Sequence, residues 1–293
     1  MNKLALGSVQ FGVDYGVNSI DGKVKFEEVK RILSYASSKN IDVLDTAFAY
    51  GNSEEVLGDA NNFNFKIVTK TRHFDNHNIT DDDAILLKND LYGSLEKLKK
   101  DNVYGLLIHN ADDLLKPNAE KIFEALQKLK KSKKIKKLGV SIYDISQLEY
   151  VLNNFEIDLV QLPFNILDRR AIDSGMLENL KRKGIEVHAR SIFLQGLLLM
   201  SSKNRPSKFN HWGQLWQIWH QWLNDNKITA LEATLKYATS SPEISKVIVG
   251  VETKSQLEEI IKASSSDVSL PMIPAELYTN DLNLLNPSNW SKL

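Results

Sequence analysis

The sequence predicts a single α/β domain in which eight parallel strands close into a (β/α)8 barrel of the TIM type. Three observations predict it. Short apolar, often β-branched runs alternate with longer amphipathic runs, eight times over. Strand–helix alternation implies right-handed βαβ units and a parallel sheet. The 293 residues suit a barrel of about 250 residues plus extensions, and no Pro-rich or Gly/Ser-rich joint divides them. The competing architecture is an open doubly wound sheet. It normally carries a glycine-rich phosphate turn after its first strand, and Gly7-Ser8-Val9-Gln10-Phe11-Gly12 does not spell GxGxxG.

The units follow in order. A first strand over 4–6 (Leu-Ala-Leu) leads to a helical pattern near 26–38, and a strand over 42–47 leads to one near 53–60. The strand over 66–71 (Lys-Ile-Val-Thr-Lys-Thr) precedes a helix over 81–100, and that over 104–109 (Tyr-Gly-Leu-Leu-Ile-His) precedes one over 118–131. Strands over 137–142 and 159–164 feed helices near 145–154 and 173–183. The last two strands, over 186–192 and 246–251, bracket a helix near 228–240, and a helix over 254–264 closes the eighth unit. Residues 201–225 form an insertion after strand seven, a polar loop followed by a tryptophan-rich helix. Trp212, Trp216, Trp219 and Trp222 fall four, three and three apart on one face. That face either packs on the barrel or forms a lid or interface with aromatic walls. Residues 266–293 read as a tail packed on the barrel, so one domain spans 1–293.

Composition narrows the function classes. Lys+Arg and Asp+Glu are both 37, and a net charge of zero argues against a general nucleic-acid binder. Cysteine is absent, which excludes disulfides, zinc–thiolate sites, iron–sulfur clusters and cysteine nucleophiles. The amino terminus lacks the apolar run of a signal peptide. The greasiest stretch, 192–200, falls far short of the ~20 residues that span a bilayer, so a cytoplasmic protein without membrane contact is expected. Seven lysines crowd residues 128–137, where a helix ends, and cations there suit the helix dipole on a solvated face. His73 and His77, four apart in a predicted loop, lack a third ligand, and no metal is expected. His211 and His220 read as packing or surface residues.

Barrel enzymes of this type carry their catalytic groups at the carboxyl ends of the strands. Those ends supply Asp45 after strand two, Tyr50 in the next loop, Lys70 after strand three and His109 after strand four. Singly these residues read as a cap, a ring, a surface charge and a buried polar group. Jointly they describe a proton donor. A free tyrosine has a pKa near 10, and an adjacent Lys70 ammonium is expected to lower it. Asp45 keeps Lys70 charged and in place through a charge-assisted hydrogen bond, and His109 orients a substrate carbonyl. No side chain here is a hydride source, so a cofactor must supply one.

At this point the sequence resembles the aldo-keto reductase family. Asp45-Thr46-Ala47-Phe48-Ala49-Tyr50-Gly51, then Ser53-Glu54 and Leu57-Gly58, matches the family signature DTAxxYGxSExxLG. Val68-Thr69-Lys70, Leu107-Ile108-His109-Asn110, Gly139-Val140-Ser141, Gln161-Leu162-Pro163-Phe164-Asn165 and Gln195-Gly196-Leu197-Leu198 follow in the family order, over about residues 3–264. The resemblance implies hydride transfer from a reduced nicotinamide to an aldehyde or ketone, with Tyr50 as general acid tuned by Lys70 and Asp45. It also implies cofactor contacts. Gly7, Ser8, Val9 and Asp45 join the set, Ser141 and Gln161 bind the carboxamide, and Ser191, Phe193, Gln195 and Gly196 line the pyrophosphate. Gly250, Glu252, Gln256 and Glu259 surround the adenosine end.

Three positions depart from the family pattern. Ile142 follows Ser141 where asparagine is usual. Arg190 replaces the aromatic that commonly stacks on the nicotinamide. Its guanidinium can still stack, and its charge disfavours the oxidised ring, so faster cofactor release is expected. The usual Lys and Arg for a 2′-phosphate align with Gly250 and Gln256. Lys254 is the substitute candidate, weighed against a plain surface lysine. NADP(H) is favoured by the family, with NAD(H) possible.

An active carbonyl reductase is the leading reading, acting on a small carbonyl compound as a monomer or small homo-oligomer. A nicotinamide-binding redox sensor on the same fold is the second. A barrel enzyme for phosphorylated substrates is the third, and it lacks the glycine-rich anion site it needs after strands seven and eight. Tyr15, Phe48 and the tryptophan helix are expected to border a pocket with Asn110, Asn165 and Arg190, a mixture suited to a sugar-like substrate. The 10–16 and 190–196 segments are similar to a bacterial branch often associated with surface-sugar metabolism.

Overall fold

A computed structural model of the chain describes residues 2–16, 22–60 and 63–293. Among the described residues, eight parallel strands pair in chain order and close into a barrel. They are β1 (Leu4–Gly7), β2 (Val43–Asp45), β3 (Lys66–Lys70), β4 (Val103–Ile108), β5 (Ile135–Ser141), β6 (Leu159–Pro163), β7 (Glu186–Arg190) and β8 (Lys246–Gly250). Register decides what the rim carries. Gly7 lies opposite Asp45 on one side and Gly250 on the other, and Ser141 lies opposite Gln161. Pro163 lies opposite Arg190. The carboxyl ends of the strands thus bring the site residues of distant sequence onto one rim.

Two cores hold this arrangement. Ala5, Val43, Val68, Leu107, Leu159 and Ile248 fill the inside of the barrel. A larger cluster lies between the strands and the surrounding helices, where each amphipathic helix buries its apolar stripe. The 53–60 helix approaches the Asp81–Leu98 helix so closely that a Cβ on Gly58 would lie 1.9 Å from the Lys97 carbonyl. At the amino end of the barrel, Tyr104, Lys137 and His188 converge on the Glu186 carboxylate. The lysine-rich segment is spread there over separate partners, with Lys130 on Asp158 and Lys134 over the Tyr92 ring.

Some boundaries differ from the periodicity. The helix expected near 173–183 is two pieces, Arg170–Asp173 and Met176–Arg182, because Gly175 takes the left-handed conformation at φ 69°. β7 stops at Arg190 because Ser191 is also left-handed, at φ 58°. β2 is shorter than 42–47, since beyond Asp45 the chain turns into the loop that carries Tyr50.

The inserted tryptophans pack. Trp216, Trp219 and Trp222 of the Gly213–Asp225 helix are buried. Their indole N–H groups donate to the carbonyls of Phe209, Leu198 and Met272, and Trp212 donates to Asp281. Leu277, Leu284, Leu285 and Trp290 of the tail are buried as well. No described helix is long and apolar enough to cross a membrane.

Candidate active site

Lys70 organises the rim. Its ammonium donates to Asp45 Oδ2 at 2.7 Å, to the Thr46 carbonyl at 2.9 Å and to Tyr50 Oη at 3.4 Å. Lys70 and Asp45 are only 2% and 4% exposed, so the pair is shielded from water. Gln161 Nε2 donates to the other oxygen, Asp45 Oδ1, at 2.7 Å. Both carboxylate oxygens are therefore engaged, and the Lys70 donor is aimed by three fixed acceptors. The His109 ring meets Tyr50 edge-on, with centroids 5.9 Å apart.

Burial dominates the electrostatics. It pushes the Tyr50 phenol above its ordinary value, even though Lys70 and Arg190 pull the other way. The expectation that Lys70 makes Tyr50 more acidic than a free tyrosine is thus reversed: in this state desolvation outweighs the ammonium. Tyr50 holds its proton, which is the state a general acid needs before reaction. The Lys70 value is itself raised, since Asp45 and Tyr50 together outweigh the cost of burying the cation. Asp45 does keep Lys70 charged, as expected.

His109 is pushed the other way, down to about 3, by burial and by the nearby Lys70, His73 and Arg190. It is neutral at physiological pH, with one ring N–H to donate, and its Nδ1 is buried without a partner. His73, whose sequence context offered only a metal reading, stacks on this ring at 4.8 Å between centroids. An NMR titration of the ring nitrogens is expected to find His109 still neutral at pH 5; protonation near pH 6.5 would contradict this. The sign for stability follows. The folded value lies below the unfolded one, so stability falls as pH drops from about 6.5 towards 3, where only the unfolded chain takes up the proton.

A cavity of about 610 Å³ runs from Tyr50, Lys70 and His109 to Glu252, Gln256 and Glu259. Gly7, Ser8, Val9, Asp45, Ser141, Gln161, Arg190, Ser191, Phe193, Gln195, Gly196 and Gly250 line it between those ends. Lys254 does not. Its ammonium pairs with Glu258 at 2.9 Å, one helical turn on, and lies over the Tyr35 ring. Phe48, Asn110, Asn165 and the four tryptophans also lie outside the lining, which corrects the expected pocket wall. The Phe48 ring is covered by Arg72 and Lys97, and Asn165 Oδ1 accepts from the Leu167 N–H.

Several lining residues went unread in the sequence. Gln10 leaves its Oε1 buried without a partner. Tyr143 stacks on the Arg190 guanidinium at 4.1 Å. Tyr15, expected as a wall, is joined across the cavity by Gln195, whose Nε2 donates to its hydroxyl at 2.9 Å. The Ile142 carbonyl, at the position where the family carries asparagine, accepts from Arg190 at 2.9 Å.

The site and fold together define a (β/α)8 barrel with a buried Asp–Lys–Tyr cluster on one rim, and comparison with known proteins gives its family. The profile of the Aldo/keto reductase family matches residues 3–271. L-galactose dehydrogenase of Arabidopsis thaliana is 27% identical over 286 residues, covering 92% of this chain and 88% of that protein. The holo form of an aldo-keto reductase from Bacillus halodurans superposes with a TM-score of 0.72 at 19% identity, covering 92% of this chain and 88% of that one. The chain belongs to the aldo/keto reductase family and is an NAD(P)H-dependent oxidoreductase.

Proposed function

We propose that the protein reduces the carbonyl group of a small, sugar-like aldehyde or ketone, with Tyr50 as general acid. The observation that carries this is the buried chain from Gln161 through Asp45 and Lys70 to the Tyr50 hydroxyl. A reduced nicotinamide, when bound, supplies the hydride. The cavity suits such a ligand in size, in the orphaned Gln10 oxygen, and at Gly250, where a Cβ would lie 2.6 Å from the Gln10 amide nitrogen.

The protein's own groups handle the proton. A carbonyl oxygen seated between Tyr50 Oη and the neutral His109 N–H accepts two hydrogen bonds, which fix its orientation and draw electrons from the carbon. As negative charge grows on that oxygen, the Tyr50 proton transfers to it. The phenolate left behind sits 3.4 Å from the Lys70 ammonium, which stabilises the charge. Burial that disfavours ionisation in the idle state thus holds the proton until a substrate oxygen requires it.

On cofactor choice the geometry favours NAD(H), which the sequence left second to NADP(H). The far end of the cavity carries Glu252, Gln256 and Glu259, and no lysine or arginine lines it there among the described residues. Two carboxylates repel a 2′-phosphate, whereas a carboxylate accepts a hydrogen bond from a ribose 2′-hydroxyl. Titration followed by calorimetry is expected to show NADH binding roughly tenfold tighter than NADPH, with Glu259→Lys narrowing the gap. Tighter NADPH binding by the wild type would overturn this preference. The redox-sensor alternative is separated by the same preparation: cofactor binding without Tyr50-dependent turnover of any carbonyl or keto-sugar would favour it.

A further inference from the structure

The His109 ring is aimed by packing. Its backbone N–H donates to Thr71 Oγ1 at 3.2 Å, which fixes the main chain and not the imidazole. Nδ1, through which a hydrogen bond ordinarily sets the tautomer and tilt of such a histidine, is buried without a partner. Two rings bound the imidazole instead. Tyr50 meets it edge-on at 5.9 Å, and His73 lies across its face at 4.8 Å with 25° between the planes. His73 is exposed while His109 is buried, so His73 stands between that ring and water. Both chain neighbours of His73 are pinned. Arg72 forks onto Asp90, and the buried Asp113 accepts from the Phe74 N–H at 3.4 Å and from Lys116 at 2.8 Å. Lys116 also donates to the Phe74 carbonyl. The segment after β3 thus presents His73 from a fixed backbone.

We propose that His73 is a positioning residue, whose stacked ring holds the His109 imidazole in the orientation that turns its N–H towards the substrate carbonyl. The inference rests on the carbonyl-reductase reading and deepens it. His73 lies outside the cavity lining, so it acts through His109. The outer torsion of a histidine side chain is broad, and without a hydrogen bond at Nδ1 only neighbouring groups narrow it. An edge contact from Tyr50 alone leaves the imidazole a wide arc. A flat ring against its face removes most of that arc and keeps water off the same face. Lys70, His73 and Arg190 are the cations that act on His109, and Tyr50 is its neutral titratable neighbour.

His73→Ala and His73→Phe test this. Both remove the imidazole and any charge on it, and only the second keeps a flat ring. With a carbonyl compound that the wild type reduces, kcat is expected to fall roughly ten- to a hundredfold in His73→Ala. His73→Phe is expected to stay within about threefold of wild type, and both variants to keep the cofactor dissociation constant within about twofold. An NMR titration of the His109 ring supplies a second readout. From about 3 in the wild type, its midpoint is expected to climb towards 6.5 in His73→Ala, where water reaches the ring, and to stay well below that in His73→Phe. Unchanged kcat in His73→Ala, equal losses in the two variants, or a His109 midpoint that does not separate them overturns the inference while leaving carbonyl reduction standing. Should the wild type reduce no carbonyl compound at all, the reductase reading fails instead. The ring titration then decides alone: a midpoint that rises in His73→Ala and not in His73→Phe supports the positioning role, and equal midpoints overturn it.

Discussion

Tyr50→Phe will lower kcat by roughly 100- to 10,000-fold while leaving the cofactor dissociation constant within about twofold of wild type. The change removes one oxygen and nothing else of the ring. The edge contact with His109 and the placement of the ring over Lys70 survive. What is lost is the hydroxyl that accepts from the Lys70 ammonium and that, in the proposed reaction, donates to the substrate oxygen. His109 cannot replace it, because a ring whose value lies near 3 is neutral and gives up its single N–H proton only at great cost. Single-turnover kinetics separates the possibilities. A slow chemical step with normal cofactor affinity supports the assignment. Unchanged kcat would remove Tyr50 from the reaction.

Lys70→Met will reduce activity as severely and will also destabilise the fold. Methionine fills most of the volume but leaves the Asp45 carboxylate buried with only Gln161 to satisfy it. Breaking one half of a buried pair costs about 3–5 kcal/mol, a fall of roughly 10 °C in Tm for a chain of this size. Adding Asp45→Asn should recover much of that stability, since the uncompensated charge goes with it, and recover none of the activity. A double variant as inactive as the single but markedly more stable is the expected pattern. Equal instability in both would show that the pair's charge is not what holds the rim. The pH dependence has a defined sign. Lys70 is raised above its unfolded value of about 10.4. The pair's contribution is therefore complete at neutral pH and disappears only as pH rises through the higher folded value.

The barrel was legible because parallel strands buried on both faces leave apolar runs, and eight of them admit few topologies. The tetrad was legible because Asp45, Lys70 and His109 stand at or just past strand ends and Tyr50 in the loop after β2, where a barrel's register brings distant residues together. Its electrostatics was not. Whether Tyr50 gains or loses its proton more readily depends on how much water the closed rim excludes, and no spacing encodes that. His73 belongs to a loop without periodicity, so its stacking on His109 had no sequence signal. Lys254 did have one. Glu258 stands four residues on, the spacing at which a lysine on a solvent-facing helix meets a carboxylate. The Arg190 substitution was visible, but its partners Ile142, Tyr143 and Ser191 come from two different strand ends and emerge only when β5 and β7 face the same cavity.

The tryptophan helix gives the carboxyl-terminal segment a reach beyond its own surface. Trp219 is tied to Leu198, two residues past the Gly196 turn, and Trp222 to Met272 in the tail. Trp212 is tied further along, at Asp281. The segment that follows Arg190 to Gly196 is thus braced through one helix by tail residues that lie outside the cavity lining. Truncating the tail before Met272 would remove two of these anchors while leaving every residue that lines the cavity in place.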